Sequence, residues 1–266
     1  MITLSKLVDM RGSRSLITGG IGHLGKVIAE TLAELGSDLI LVDLPSSCCH
    51  DFCRRIASTW GVSATYFACD LENEHDRDEL TDRIKSDGIG LNCLVNNAAF
   101  VGTSNLQGWA VDFEEQTLQT WRRALEVNLT AAFHLSQAFA PELRVSGSGS
   151  IINISSVYGE FGPDWSLYEG THMGNPAAYA ASKAGLLQLT RWMAATMAPE
   201  VRVNAISPGG IYRNQPEKFV SRYVARTAMR RMATEDDIRG AVAFLATTMG
   251  SYVTGQNLRV DGGWSL

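Results

Sequence analysis

The chain has 266 residues, 45% apolar and 19% charged, enough to bury a large core and too apolar for low-complexity disorder. A net charge of −5 argues against a nucleic-acid partner held by a positive field, and no apolar run approaches the ~18–20 residues that cross a bilayer. Glycine is abundant at 25 residues, above the usual ~7% of a chain, so where it falls is informative.

The first ten residues alternate apolar and polar side chains and contain no signal-peptide core. Five cysteines without framework spacing point to reduced thiols, and the two signs together predict a cytoplasmic protein. The sequons at Asn128 and Asn153 then read as chance matches.

Ser15 to Thr18 is the first expected strand. Leu24, Val27, Ile28, Leu32 and Leu35 follow at helical spacing, and Gly36 stops that helix. Asp38 to Asp43 is an unbroken apolar run closed by an acid. Next come Cys48, Cys49, His50 and Cys53. Adjacent cysteines make poor joint ligands and no second pair follows, so no metal is expected and the stretch reads as loop and helix start. Further strands are expected at Ala64–Cys69, Leu91–Asn96, Ser150–Ser155, Val201–Ile206 and Leu258–Val260, with helical patterns near 74–87, 114–143, 176–198 and 234–248. Continuously apolar strands alternating with helices predict an α/β fold. They specify a doubly wound parallel sheet of the Rossmann kind, three layers α/β/α, in a single domain over 1–266.

Chemistry-bearing residues gather where these strands end. Thr18-Gly19-Gly20-Ile21-Gly22-His23-Leu24-Gly25 lies between the first strand and its helix. Glycine lets the backbone approach a pyrophosphate, whose charge sits at the positive end of the helix. Asp43, 18 positions after Gly25, is placed to accept the adenosine ribose hydroxyls and to repel a 2′-phosphate, so NAD is expected rather than NADP. Asp70 and Leu71 follow the third strand and Asn97 and Ala98 the fourth, at the edge that would hold the adenosine half. Singly, each fits a turn or cap equally well. Tyr179 and Lys183 share one helix face, where a nearby lysine charge would bring a phenol into range as a base. Tyr158 and Tyr168 have no lysine four residues on.

With these motifs in view, the chain resembles the short-chain dehydrogenase/reductases over nearly its whole length. Supporting stretches are the glycine loop, Asn96 to Ala99, Ile151 to Gly159, Tyr179 to Lys183, Arg202 to Gly209 and Gly255 to Gly263. The resemblance implies Tyr179 as general acid/base and Lys183 as the residue that lowers its pKa and holds the nicotinamide ribose. It implies Ser156, rather than Ser155, on the substrate's reacting oxygen. Asn128 would kink its helix and hold a water relaying protons to Lys183. Gly19, Gly22, His23 and Leu24 would line the pyrophosphate, and Pro208, Gly209 and Ile211 the nicotinamide. A homotetramer or homodimer is implied, with 114–143, 176–198 and the last strand at the interfaces.

Two departures shape the substrate expectation. Glycines at 19, 22 and 25 give TGxxGxxG, which is similar to the extended branch with its nucleotide-sugar epimerases and dehydratases, whereas the ending at Asp261-Gly262-Gly263 is of the classical kind. In addition, 23 positions separate Ser156 from Tyr179, an insert near 160–175 in which Trp165, Tyr168, Glu169 and His172 offer stacking and hydrogen bonds. The bland alternative is a surface loop folded on itself or on a partner subunit. In the lid region near 211–231, six cations (Arg213, Lys218, Arg222, Arg226, Arg230 and Arg231) face the single acid Glu217. Arg222, Arg226 and Arg230 share one face if the stretch is helical, suiting either a bound anion or a solvated surface. The combination is similar to the flagellin-modification or surface-polysaccharide subgroup. The expectation is NAD-dependent alcohol/ketone interconversion on a polar, sugar-derived small molecule, with phosphorylated and nucleotide-linked sugars included. The alternatives are an NAD-retaining epimerase or dehydratase, or a non-catalytic dinucleotide sensor.

Overall fold

The computed structural model describes residues 2–45, 49–101 and 106–266. In chain order the elements are α1 (Leu4–Leu7), β1 (Arg14–Thr18), α2 (His23–Glu34), β2 (Asp38–Asp43), α3 (Cys49–Trp60), β3 (Ala64–Ala68) and α4 (Glu74–Lys85). They continue with β4 (Cys93–Asn96), α5 (Leu118–Leu125), α6 (Ala131–Ala138), α7 (Ala140–Val145), β5 (Gly149–Ile154), α8 (Ala177–Met197) and β6 (Val201–Pro208). The last are α9 (Glu217–Arg226), α10 (Arg239–Ala246) and β7 (Asn257–Val260).

The seven strands form one sheet in the order β3-β2-β1-β4-β5-β6-β7, and every pairing is parallel. Strand order reverses between β1 and β4, so a crevice opens beyond their carboxyl ends. Ile17, Leu39, Leu41, Val95 and Ile152 pack on one face against α2, α3 and α10 through Ile28, Leu32, Phe52, Val242 and Leu245. Leu16, Ile40, Leu94 and Ile151 pack on the other against Leu80, Leu135, Leu143 and Met193. Burial on both faces is why the strands read as unbroken apolar runs.

Two sequence expectations are sharpened, the helix start in the cysteine stretch and the kink at Asn128, and one changes. The cysteine stretch is mostly helix: α3 starts at Cys49, whose side chain is buried with Phe52, Cys53 and Ile56, while Cys48 lies outside the described residues. The pattern over 114–143 is interrupted. Thr117 caps α5 by accepting from the Thr120 N–H, and one π-helical turn, Glu126–Thr130, separates α5 from α6. The arginines of the lid do not share one helix face. α9 ends at Arg226, and Arg230 lies beyond it with φ +54°.

Candidate active site

The glycine loop is built by close approach. Gly19 has φ +62°, and a Cβ there would lie 2.9 Å from the Ala98 Cα. A Cβ on Gly25 would lie 1.9 Å from the Gly19 carbonyl oxygen, so only glycine lets α2 start beneath the loop. Gly22 is the N-cap of α2 and brings no side chain to it, which leaves the first-turn N–H groups at His23 and Leu24 facing outward.

The loop is pinned from both sides. Asn97 Nδ2 donates to the Thr18 and Gly19 carbonyls at 2.9 and 3.0 Å, and the Asn97 and Ala98 N–H groups donate to Thr18 Oγ1, each at 3.0 Å. Asp43 Oδ2 accepts from the Ile21 N–H at 2.9 Å and Oδ1 from the Leu44 N–H at 2.8 Å. The carboxylate is therefore fixed beside the loop with lone pairs still to offer. Asp70 is exposed, and its Oδ1 accepts from the Glu72 N–H at 3.0 Å, a turn role. Leu71 is buried and its carbonyl accepts from Arg77.

Along the crevice, α8 brings Tyr179, Ser182 and Lys183 to the ends of β5 and β6. Ser156, just past β5, faces the Tyr179 side chain and favours its ionised form, and its Oγ accepts from the Tyr158 N–H at 3.2 Å. Ser155 is turned inward and its Oγ donates to the Lys183 carbonyl at 3.0 Å. Lys183 is buried and Nζ donates to the Ile154 carbonyl at 2.7 Å. Asn128 sits in the π turn. Its Oδ1 accepts from the Phe100 N–H at 2.6 Å, and Nδ2 donates to Ser182 Oγ at 3.0 Å. The distorted turn thus points a buried amide at α8 between the two titratable residues.

The electrostatics differ from a simple lysine-activated phenol. Lys183 Nζ is 5.9 Å from the Tyr179 ring centroid, and burial lowers its own pKa to about 8. Burial pushes the Tyr179 phenol up from its ordinary value, while the Ser156 hydrogen bond and the Arg213 charge pull it down. The Arg213 charge, from the segment after β6, thus acts on Tyr179 in addition to the Lys183 ammonium over its ring.

A cavity of about 290 Å³ opens beside Tyr179, lined among others by Trp109, Tyr158, Tyr168, His172 and Asn175. The insert supplies Tyr168 and His172 to its wall. Trp165 packs on Tyr168 and is 57% exposed, and neither it nor Glu169 lines the cavity. The Tyr168 hydroxyl donates to Tyr158 at 2.7 Å. The insert and α9 share one apolar cluster, with Leu167, Tyr168, Phe219 and Tyr223 packed around Trp264.

The lid arginines meet acids from elsewhere in the chain. Arg226 pairs with Asp164, Arg231 with Asp237 at 2.6 Å, and Arg213 with Glu235 at 3.0 Å, while Arg222 donates to the Glu169 carbonyl. Three of the six cations are therefore paired with acids. At the lid's base, the Gly209 N–H donates to the Val260 carbonyl, and Ile211 bridges Ala233. Pro208 is buried at the end of β6. Sequence reasoning missed Asn175 and Gln116, whose Oε1 accepts from the Ala177 N–H at 3.0 Å and fixes the start of α8.

The glycine loop and the Tyr179, Ser156 and Lys183 set lie along one edge of the parallel sheet, the edge at which doubly wound sheets bind their ligands. A family model described as enoyl-(acyl carrier protein) reductase matches residues 20–265, and the chain belongs to the short-chain dehydrogenase/reductases. It is 30% identical to a probable galactose dehydrogenase of Rhizobium meliloti, covering 97% of each chain. It superposes with TM-score 0.85 on a short-chain dehydrogenase of Leptospira borgpetersenii bound to NAD+, at 29% identity and covering 100% and 97% of the two chains. With a gluconate 5-dehydrogenase of Burkholderia cenocepacia in complex with NADP and tartrate, the TM-score is 0.86 at 27% identity and 99% of each chain. The chain is accordingly an NAD(P)-dependent enzyme acting between alcohol and ketone. No helix among the described residues is long and apolar enough to cross a membrane.

Proposed function

We propose that the enzyme uses NAD to interconvert a secondary alcohol and a ketone on a polar, sugar-derived substrate. The observation that carries the reading is Tyr179, which opens beside Ser156 onto a cavity with polar groups in an aromatic wall. The galactose and gluconate dehydrogenases among its relatives support the substrate class. Support for NAD comes from Asp43, whose fixed carboxylate suits ribose hydroxyls and opposes a 2′-phosphate.

We assign the residue roles as follows. Bound nicotinamide supplies the hydride exchange at its C4. Tyr179 takes the proton from the substrate hydroxyl during oxidation and returns it during reduction, while Ser156 holds the same oxygen. Lys183, with a pKa near 8, carries a proton onward and holds the nicotinamide ribose. Asn128 fixes the π turn and the proton path beside α8. Gly19, Gly22, His23 and Leu24 take the pyrophosphate. Asp43, Asp70, Leu71, Asn97 and Ala98 take the adenosine half, and Pro208, Gly209 and Ile211 the nicotinamide.

The direct test follows absorbance of the reduced nicotinamide with galactose, gluconate and xylitol. Tyr179→Phe should lower turnover by about 10³-fold or more while NAD still binds. Full activity in that variant sinks the mechanism, and tight co-purified NAD with no net reduction replaces it with an NAD-retaining epimerase or dehydratase.

We also propose a homotetramer, supported by apolar side chains exposed on α5 and α8, notably Leu118 (67%) and Trp192 (58%). Sedimentation at about four times the chain mass is expected, and a monomer mass overturns the assembly.

A further inference from the structure

Asn175 stands four residues before Tyr179 in the cavity wall and is only 7% exposed. Among the described residues, neither its Oδ1 nor its Nδ2 has a hydrogen-bond partner. Buried amides in folded proteins are nearly always satisfied, because an orphaned donor or acceptor forfeits its bonds to water. The local backbone offers no remedy. An asparagine here would ordinarily accept from the N–H two residues on, but Ala177 donates to Gln116 instead. The intervening Pro176 has no N–H to give.

The rest of the wall is mostly aromatic and apolar, with Trp109, Tyr158, Tyr168 and Met173. Tyr158 accepts from Tyr168, which leaves the Tyr158 hydroxyl proton available to a ligand. A group that donates and accepts, next to a phenol that can donate, is complementary to a pair of neighbouring hydroxyls. In such a pair the reacting hydroxyl belongs to Tyr179 and Ser156, and its neighbour gives its proton to Asn175 Oδ1 or receives from Nδ2.

We infer that Asn175 is a specificity-determining residue that reads a hydroxyl beside the carbon being oxidised, so the enzyme selects vicinal diols and polyols over simple alcohols. This rests on the oxidoreductase reading of Tyr179 and deepens its substrate class. A site built to hydrogen-bond a hydroxyl rejects an analogue lacking it, because the site's polar atoms are then left unpaired.

The test compares cis-cyclohexane-1,2-diol with cyclohexanol, which differ by that one hydroxyl, using NAD and the full-length enzyme. The wild type should favour the diol in kcat/KM by on the order of 10²-fold or more. Asn175→Leu should bring the ratio to within about tenfold of unity. Asn175→Ser, which retains a smaller donor and acceptor, should lie between them and serves if the leucine variant does not fold. A wild-type ratio near one overturns the inference. So does a ratio that survives both substitutions, or an equal fall on both compounds, which marks a structural role. Failure of galactose, gluconate and xylitol as substrates defeats the sugar reading separately, because the diol ratio still decides the role of Asn175.

Discussion

Asn128 Nδ2 donates to Ser182 Oγ at 3.0 Å, across 54 positions of sequence. The contact joins the π turn to the helix segment that carries Tyr179 and Lys183, and the Ser182 hydroxyl passes on to the Tyr179 carbonyl at 2.8 Å. The same amide accepts from Phe100, at the end of the loop after β4. One buried side chain therefore ties three segments together beside the reacting groups.

Replacing Asn128 with leucine should leave the Phe100 N–H and the Ser182 hydroxyl each short of a partner. The expected destabilisation is about 1–3 kcal/mol, seen as a lower midpoint in thermal or urea unfolding. Turnover should fall further than stability explains, because the register of Tyr179 against β5 loosens. An unchanged midpoint would show that the clamp carries no net stability.

Asp43 offers a charge experiment with little loss of structure. Asp43→Asn keeps an oxygen for the Ile21 N–H, now 2.9 Å from the carboxylate, gives up the one that accepts from the Leu44 N–H, and removes the negative charge. The ratio of kcat/KM with NADP to that with NAD should rise by about tenfold or more, a change of about 1.4 kcal/mol. Gain of NADP use without loss of fold supports repulsion at the 2′ position. An unmoved ratio means that Asp43 serves only to anchor the loop.

Much of this architecture is legible in the residues because burial leaves a simple pattern. Asp38–Asp43 reads as a strand from end to end, since a central parallel strand must be apolar on both faces and its last acid marks the crevice. The glycine loop is legible for a related reason, since Gly25 tolerates no side chain beneath Gly19. Other features depend on partners that are distant in sequence. The lid arginines look like an anion site until Asp164, Glu235 and Asp237 arrive from other segments. Helix α3 hides in a polar stretch whose apolar positions, Phe52, Cys53 and Ile56, are few. The π turn breaks a period that otherwise reads as one long helix, and only the hydrogen bonds of Asn128 give it a reason. Asn175 carries no motif at all. Its significance lies in bonds it does not make, and those are invisible in a string of residues.

The last prediction concerns pH. Burial raises the Tyr179 phenol, so oxidation, which needs the phenolate, should quicken as pH rises, and reduction, which needs the phenol, should slow. The Ser156 hydrogen bond acts in the opposite sense to burial, favouring the phenolate. Ser156→Ala should therefore move the alkaline limb of kcat/KM for oxidation to higher pH, in addition to lowering its height. Lys183 separates this effect from stability. Its folded pKa of about 8 lies below the ordinary 10.5, so the unfolded chain binds the extra proton between those values. Stability from this group accordingly rises with pH across about 8 to 10.5, by up to about 3 kcal/mol. From about pH 8 upward the buried thiols oppose the gain, Cys69 and Cys93 pushed up to about 12 and Cys53 also raised, because the unfolded chain loses those protons first. Between pH 8 and 9 the unfolding midpoint should therefore fall more steeply in Lys183→Met than in the wild type. A Ser156→Ala profile that keeps the wild-type limb would remove Ser156 from the tuning of Tyr179, whatever the stability data show.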